Sequence, residues 1–242
     1  VGIGVGGAAI FLLSALEGRC YTMEEVSKAF ASRDLTVMGT IPQLINFETY
    51  SDEGMFAIVD PESPYLEYYE RLRSNIVRSG ETKAPKVVAI TSCGSEEGKT
   101  ITTYNLAIAA ARAGKRTLII EADLRSPSQV EALGLRINPA SLLDPLRHYD
   151  PTRNNMRLVP GVENLYVIST PGPQTQAIAI VESSELRTLI ETARARFDFI
   201  VVDTPSLSRC NDTLAIEPLT DGLILVGRPG FTQTALVTEQ AN

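Results

Sequence analysis

The sequence predicts an α/β fold, a mostly parallel sheet covered by helices on both faces. Three observations predict it. Short runs that are apolar throughout recur from Val87 onward, as strands buried on both faces do. Helical patterns stand between several of them, which suits parallel strands joined by crossovers. A Gly-Lys-Thr triplet follows the first run and carboxylates end two later ones, so the polar chemistry collects at strand ends.

Taken in chain order, residues 1–16 (VGIGVGGAAIFLLSAL) carry no charge. The run is shorter than the ~20 residues of a membrane-spanning helix. It reads as the cytoplasmic end of such a helix, with a Gly-rich buried segment as the alternative. Thr22-Met23-Glu24-Glu25 is a capping box that heads a short helix to about Ser32. Leu35 to Met38 is β-like, and residues 43–64 read as a linker rich in turn residues. From Pro64 to Ser79, Leu66, Tyr69, Leu72, Ile76 and Val77 recur at helical spacing, and Gly80 closes that helix. Tyr65, Tyr68 and Tyr69 lie on or beside it and read as packing residues rather than phosphoacceptors.

Strands follow at Val87–Ile90, Thr117–Ile120, Leu165–Ser169, Phe199–Val202 and Gly222–Val226. Helices are expected at Lys99–Ala113, stopped by Gly114, and at Ser184–Arg196. The organisation is therefore a membrane-helix end at 1–16, a juxtamembrane helix and linker at 17–64, and one α/β domain at 65–242.

Composition narrows the function classes. Of 242 residues, 44% are hydrophobic and 21% charged, which is ordinary for a globular chain. The formal net charge of −7 argues against nucleic acid as a partner, since phosphate tracking needs a basic face. Three widely spaced cysteines (Cys20, Cys93 and Cys210) suit neither a disulfide framework nor a zinc site. A single histidine, His148, removes His-based triads and metal clusters.

The turn Gly94-Ser95-Glu96-Glu97-Gly98-Lys99-Thr100-Ile101 lies between a strand and a helix, as a phosphate-binding P-loop does. Backbone N–H groups and the helix dipole favour anions there. Lys99 supplies a point charge for the β- and γ-phosphates of a nucleotide, and the Thr100 hydroxyl is placed to ligate Mg²⁺. Cys93 stands where the plain spacing asks for glycine. Glu121 and Asp123, one residue apart at a strand end, suit metal ligation or removal of a proton from a hydroxyl or water. Asp203, ending an apolar strand before Thr204-Pro205, reads as a Walker B carboxylate.

In this order, the motifs resemble the cytoplasmic P-loop NTPase-like domains of the bacterial tyrosine kinases (BY-kinases) of capsular and exopolysaccharide export, also called polysaccharide co-polymerases. Val37-Met38-Gly39-Thr40-Ile41-Pro42 resembles the family's entry to the kinase domain. Residues 67–76 resemble the helix that packs between neighbouring subunits. Glu121-Ala122-Asp123-Leu124-Arg125 is similar to the family's second Walker element, and residues 225–230 to its last core strand and turn. The resemblance implies an autophosphorylating, ATP- and Mg²⁺-dependent protein-tyrosine kinase at the cytoplasmic face of the bacterial inner membrane. It implies Lys99, Glu121 and Asp123 as catalytic residues, and Thr100, Glu121, Asp123 and Asp203 as metal-serving ones. Its implied partners are neighbouring copies of the chain, in a ring, and a polysaccharide polymerisation and export machine.

The chain departs from the family pattern at four points. Glu96 stands for glycine, Glu121 for aspartate and Glu70 for the first arginine of an E-x-x-R-x-x-R helix that Glu67 and Arg73 otherwise match. No tyrosine follows Tyr166, whereas the family carries a C-terminal tyrosine cluster. A catalytically weak, nucleotide-sensing structural subunit is therefore an alternative. A septum- or partition-positioning ATPase is a further one, although its extra P-loop lysine would fall at Gly94.

Overall fold

The computed structural model describes residues 24–25, 36–42, 65–80, 83–127, 156–159, 161–170 and 173–232. The expected run at 1–16, the linker at 43–64, most of the short helix after Thr22, and His148 lie outside the described residues. Glu24 and Glu25 are helical. No helix among the described residues is long and apolar enough to cross a membrane.

A six-stranded sheet forms the centre. In chain order its strands are β1 (Val87–Ser92), β2 (Thr117–Glu121), β3 (Arg157–Leu158), β4 (Leu165–Ile168), β5 (Phe199–Asp203) and β6 (Gly222–Val226). Their spatial order is β3-β4-β2-β5-β1-β6. Five strands run parallel, and β3 pairs antiparallel with β4 at one edge. All five strands expected from the apolar runs are present. β1 extends to Ser92, because Thr91 and Ser92 pair with Leu225 and Val226 of β6.

The helices are α1 (Leu66–Ser79), α2 (Lys99–Arg112), α3 (Ala177–Val181), α4 (Ser184–Arg196) and α5 (Asp212–Ile216), with a 3₁₀ turn at Glu217–Leu219. Alternate strand residues point to opposite faces. Val88, Ile90, Ile119 and Val201 pack under α1 and α2, while Val87, Ala89, Leu118, Ile120, Ile200 and Val202 pack under α3, α4 and α5. Helices thus cover both faces, which is why the strands read as apolar without alternation.

The structure corrects three expectations. Residues 36–42 are not a strand: Met38 and Ile41 lie on the core beneath α1, and the Asn75 amide donates to the Met38 carbonyl at 2.7 Å. A helix side chain thus satisfies that backbone where a strand partner was expected. Val77 is 40% exposed, since the buried face of α1 is Leu66, Tyr69, Leu72 and Ile76, one residue round the helix. Gly80 is extended rather than left-handed, and what demands glycine there is proximity. A Cβ on it would clash with the Lys83 carbonyl oxygen. Of the three tyrosines, Tyr69 is buried and Tyr65 half-buried on the core, whereas Tyr68 is 36% exposed.

The register places the chemistry. Glu121 lies opposite Asp203, and Asp203 opposite Ile90 near the end of β1. All three motif turns therefore leave the same edge of the sheet.

Candidate nucleotide site

β1 ends and α2 begins around the loop 93–98. Its last residue, Gly98, has φ of 94°, a left-handed conformation that glycine adopts without strain. The N-terminus of α2 has no side-chain cap, so its first-turn N–H groups remain available to an anion.

The loop is braced from inside. Glu97 is 5% exposed, and its carboxylate accepts the Gly94 N–H at 3.0 Å, the Cys93 N–H and the Thr232 hydroxyl. Burial raises its pKa, and those hydrogen bonds partly oppose the rise. Cys93 is fully buried and part of the core, so the side chain in place of glycine points away from solvent. Ser95 and Glu96 are the exposed crest. Arg228, stacked on Phe231 at 3.9 Å, donates to the Glu96 carbonyl at 3.2 Å and ties the crest to the turn after β6.

Glu96 has φ of 62°. A left-handed conformation costs a non-glycine residue roughly 1–2 kcal/mol, which explains why glycine suits this position. Glu96→Gly is expected to raise Mg-ATP affinity about threefold by removing a charge near the phosphates, and separately to stabilise the fold by ~1 kcal/mol through relieved strain. Calorimetry and denaturant unfolding beside Glu96→Ala separate the two effects: alanine shares the gain in affinity and keeps the strain. Equal affinity in all three chains defeats the prediction.

Behind the loop, five side chains converge. The Lys99 ammonium lies 3.0 Å from Asp123 Oδ2, with both side chains largely buried. The Thr100 hydroxyl lies 3.4 Å from Asp203 Oδ2, and the Thr103 hydroxyl donates to Asp203 Oδ1 at 2.9 Å. Asp203 is completely buried, and burial pushes its carboxyl up to about 6 against the opposing pull of Lys99 and the Thr103 hydroxyl. Glu121 is also buried, but its Oε2 accepts the Thr170 N–H at 2.8 Å and anchors the segment after β4. Lys99 and Asp123 are therefore brought together, as are Thr100 and Asp203, while Glu121 is engaged on the β4 side.

The donor set is all oxygen: one hydroxyl and two carboxylates, Asp203 and Asp123. That suits a hard cation such as Mg²⁺, which is held by one or two carboxylates with phosphate oxygens and water filling the other positions. Among the described residues no cluster of three or more His, Cys, Asp or Glu could hold a metal ion.

Several contributors are not signalled by the sequence. Thr103 and Thr232 sit at ordinary positions, and the fold brings Asp203 to the first and the Glu97 carboxylate to the second. Tyr104, buried on α2, has its hydroxyl pKa raised well above the usual value, first by burial and then by the charges of Glu121 and Asp203. The turn after β5 is latched to β1: Thr91 donates to the Pro205 carbonyl at 2.7 Å, and the Leu207 N–H to the Ser92 carbonyl at 2.9 Å. Arg125 pairs bidentately with the buried Asp212 at 2.7 and 2.9 Å, fixing the Asp123 turn against α5.

Residues 88–222 match the CobQ/CobB/MinD/ParA nucleotide binding domain. The chain is 33% identical over 164 residues to the tyrosine-protein kinase CpsD of Streptococcus pneumoniae serotype 4, covering 68% of this chain and 71% of that one. It is 31% identical over 189 residues to the succinoglycan biosynthesis transport protein ExoP of Rhizobium meliloti, of which it spans 23%. Among solved structures, the chimerical protein CapA2B2 has the same fold, with a TM-score of 0.76 at 24% identity over 90% of each chain. Matched on its sequence, its sheet and the order of its motifs, the chain belongs to the CobQ/CobB/MinD/ParA nucleotide-binding family and, within it, to the bacterial tyrosine-protein kinases.

Proposed function

We propose that this chain is an ATP-dependent, autophosphorylating protein-tyrosine kinase domain of a polysaccharide biosynthesis and export machine. The observation that carries the reading is the pairing of the P-loop ammonium of Lys99 with Asp123, a buried carboxylate from the next Walker turn. Membership of the tyrosine-kinase family gives the reaction class, and the likeness to ExoP suggests the setting.

In this reading the loop 94–98 and the first turn of α2, through Ile101, grip the phosphates of ATP by backbone N–H groups. Lys99 leans from Asp123 to the β- and γ-phosphates. Thr100 and Asp203 would hold Mg²⁺ with help from Asp123, where it would supply positive charge beside the phosphates. Asp123 takes the proton of an incoming tyrosine hydroxyl as its oxygen bonds to the γ-phosphorus and the bond to the ADP oxygen breaks. Glu121, two residues before Asp123, stands as a supporting carboxylate, its Oε2 already accepting a backbone N–H. Catalysis is mainly positioning and charge stabilisation, so the pre-arranged site contributes most of it.

Residues 65–242 form the kinase-like domain in this reading, 17–64 the juxtamembrane helix and linker, and 1–16 a membrane-helix end that holds the domain at the cytoplasmic face of the inner membrane. Neighbouring copies, assembled as a ring, supply the tyrosines. The strained Glu96 favours one second reading, a weakly catalytic nucleotide-sensing subunit of the same machine.

Incubation with radiolabelled Mg-ATP and a tyrosine-containing polypeptide tests the proposal. Label on tyrosine supports a kinase. Tight nucleotide binding with no phosphotyrosine supports the sensing subunit. Free phosphate alone, with nucleotide-driven dimerisation, supports a positioning ATPase and defeats the kinase reading.

A further inference from the structure

We infer that Arg209 is a positioning residue that holds Asp123 toward the phosphoryl-transfer site while Lys99 serves the phosphates. The inference rests on the role proposed above for Asp123. The two oxygens of this buried carboxylate are divided between different partners. Oδ2 meets the Lys99 ammonium at 3.0 Å. Oδ1 accepts the Ser126 N–H at 3.1 Å and lies 3.6 Å from Arg209 Nη1. Arg209 Nη2 donates to the Ser126 hydroxyl at 2.5 Å, and its own N–H is fixed to the Ser206 carbonyl at 3.0 Å.

A single guanidinium therefore spans from the turn after β5 to both ends of the Asp123–Ser126 turn. Its planar fork suits that task, because two nitrogens reach two partners in fixed geometry. The division of labour matters for the reaction. A lysine that engages phosphates shares or gives up its contact with Asp123. A carboxylate retained by Arg209 and the Ser126 N–H stays aimed when that happens. Without the guanidinium, Oδ1 keeps one backbone contact, and rotation about the Asp123 side chain becomes easier.

The test compares the parent chain with Arg209→Ala, Arg209→Lys, Asp123→Asn and the double variant Arg209→Ala/Asp123→Asn. Arg209→Ala is expected to lower kcat for phosphotyrosine formation about tenfold, with KM for Mg-ATP within about twofold of the parent. Arg209→Lys is expected to recover part of the loss, since it keeps the charge and loses the fork. Asp123→Asn and the double variant are expected to agree within about twofold, because the two residues act as a unit. Amide hydrogen exchange at Ser126 is expected to quicken about tenfold in Arg209→Ala, with exchange in β1 and β5 unchanged.

Additive losses in the double variant, a parent-like kcat in Arg209→Ala, or unchanged Ser126 exchange each overturns the inference. If the parent forms no phosphotyrosine, the kinase reading fails, and Ser126 exchange alone then decides whether Arg209 fixes this turn.

Discussion

Replacing Lys99 with alanine is expected to weaken Mg-ATP binding by about two orders of magnitude in calorimetry, while the chain stays folded. Charge-assisted hydrogen bonds to phosphate are worth roughly 1.5–3 kcal/mol, and this ammonium sits in a largely buried position where solvent screens it little. About 1.4 kcal/mol changes affinity tenfold, so the loss of one such cation gives the stated effect. The structure adds a second consequence. Lys99 offsets part of the burial penalty on the Asp203 carboxyl and is the nearest cation to Asp123. Its removal leaves both carboxylates less compensated, and a thermal transition lowered by a few degrees is expected, equivalent to ~1–2 kcal/mol. Lys99→Arg is not expected to rescue binding. The guanidinium is wider than an ammonium and cannot take the same point position between the loop and Asp123. An unchanged Kd in a folded Lys99→Ala chain would place phosphate recognition elsewhere.

The sheet was legible because burial on both faces leaves its mark on every residue of a strand. Val87 to Ile90 and Phe199 to Val202 are apolar without a break and rich in β-branched residues, whereas the unbroken apolar run inside α2, Leu106 to Ala111, is mostly alanine. The site carboxylates were legible because they end such runs. What was missed depends on contacts distant in sequence. Thr103 reaches Asp203 across 100 positions and Arg209 reaches Ser126 across 83, and neither pair has a local signature. Helices α3 and α5, of five residues each, are too short to display a period. β3 is two residues long, and its Arg157 gives no apolar signal. The β-like reading of Leu35 to Met38 failed for the opposite reason. Local propensity was present, but the residues described from Thr36 on meet α1 rather than a strand edge. Glu96 lies between the two cases: the resemblance marks it as a departure from glycine, and the left-handed φ supplies the physical meaning.

Asp203→Asn is expected to stabilise the metal-free fold at pH 8 while abolishing Mg²⁺-dependent nucleotide binding and phosphoryl transfer. In the folded chain this carboxyl is pushed from the ordinary 3.8 up to about 6, by burial above all. The folded state therefore holds a proton over a range where the unfolded chain has released it. The stability this group contributes is full below about pH 4 and is lost as pH rises through about 6. Two pKa units correspond to about 3 kcal/mol, so ionised Asp203 opposes folding at pH 8 by an amount of that order. Asparagine carries no charge and can still accept the Thr103 hydroxyl through its carbonyl oxygen. Denaturant unfolding in EDTA is expected to show Asp203→Asn more stable by about 1–3 kcal/mol at pH 8, and indistinguishable from the parent at pH 4. With Mg-ATP added the ranking is expected to reverse, because ligand binding to the folded state raises the stability of the parent alone. A variant less stable than the parent at pH 8 without metal would mean that the Thr100 and Thr103 hydroxyls already satisfy the charged form. The strain at this site would then lie elsewhere, at Glu96. The expected result instead makes Asp203 a group held at a cost to the fold, kept charged at neutral pH for the cation it is placed to hold.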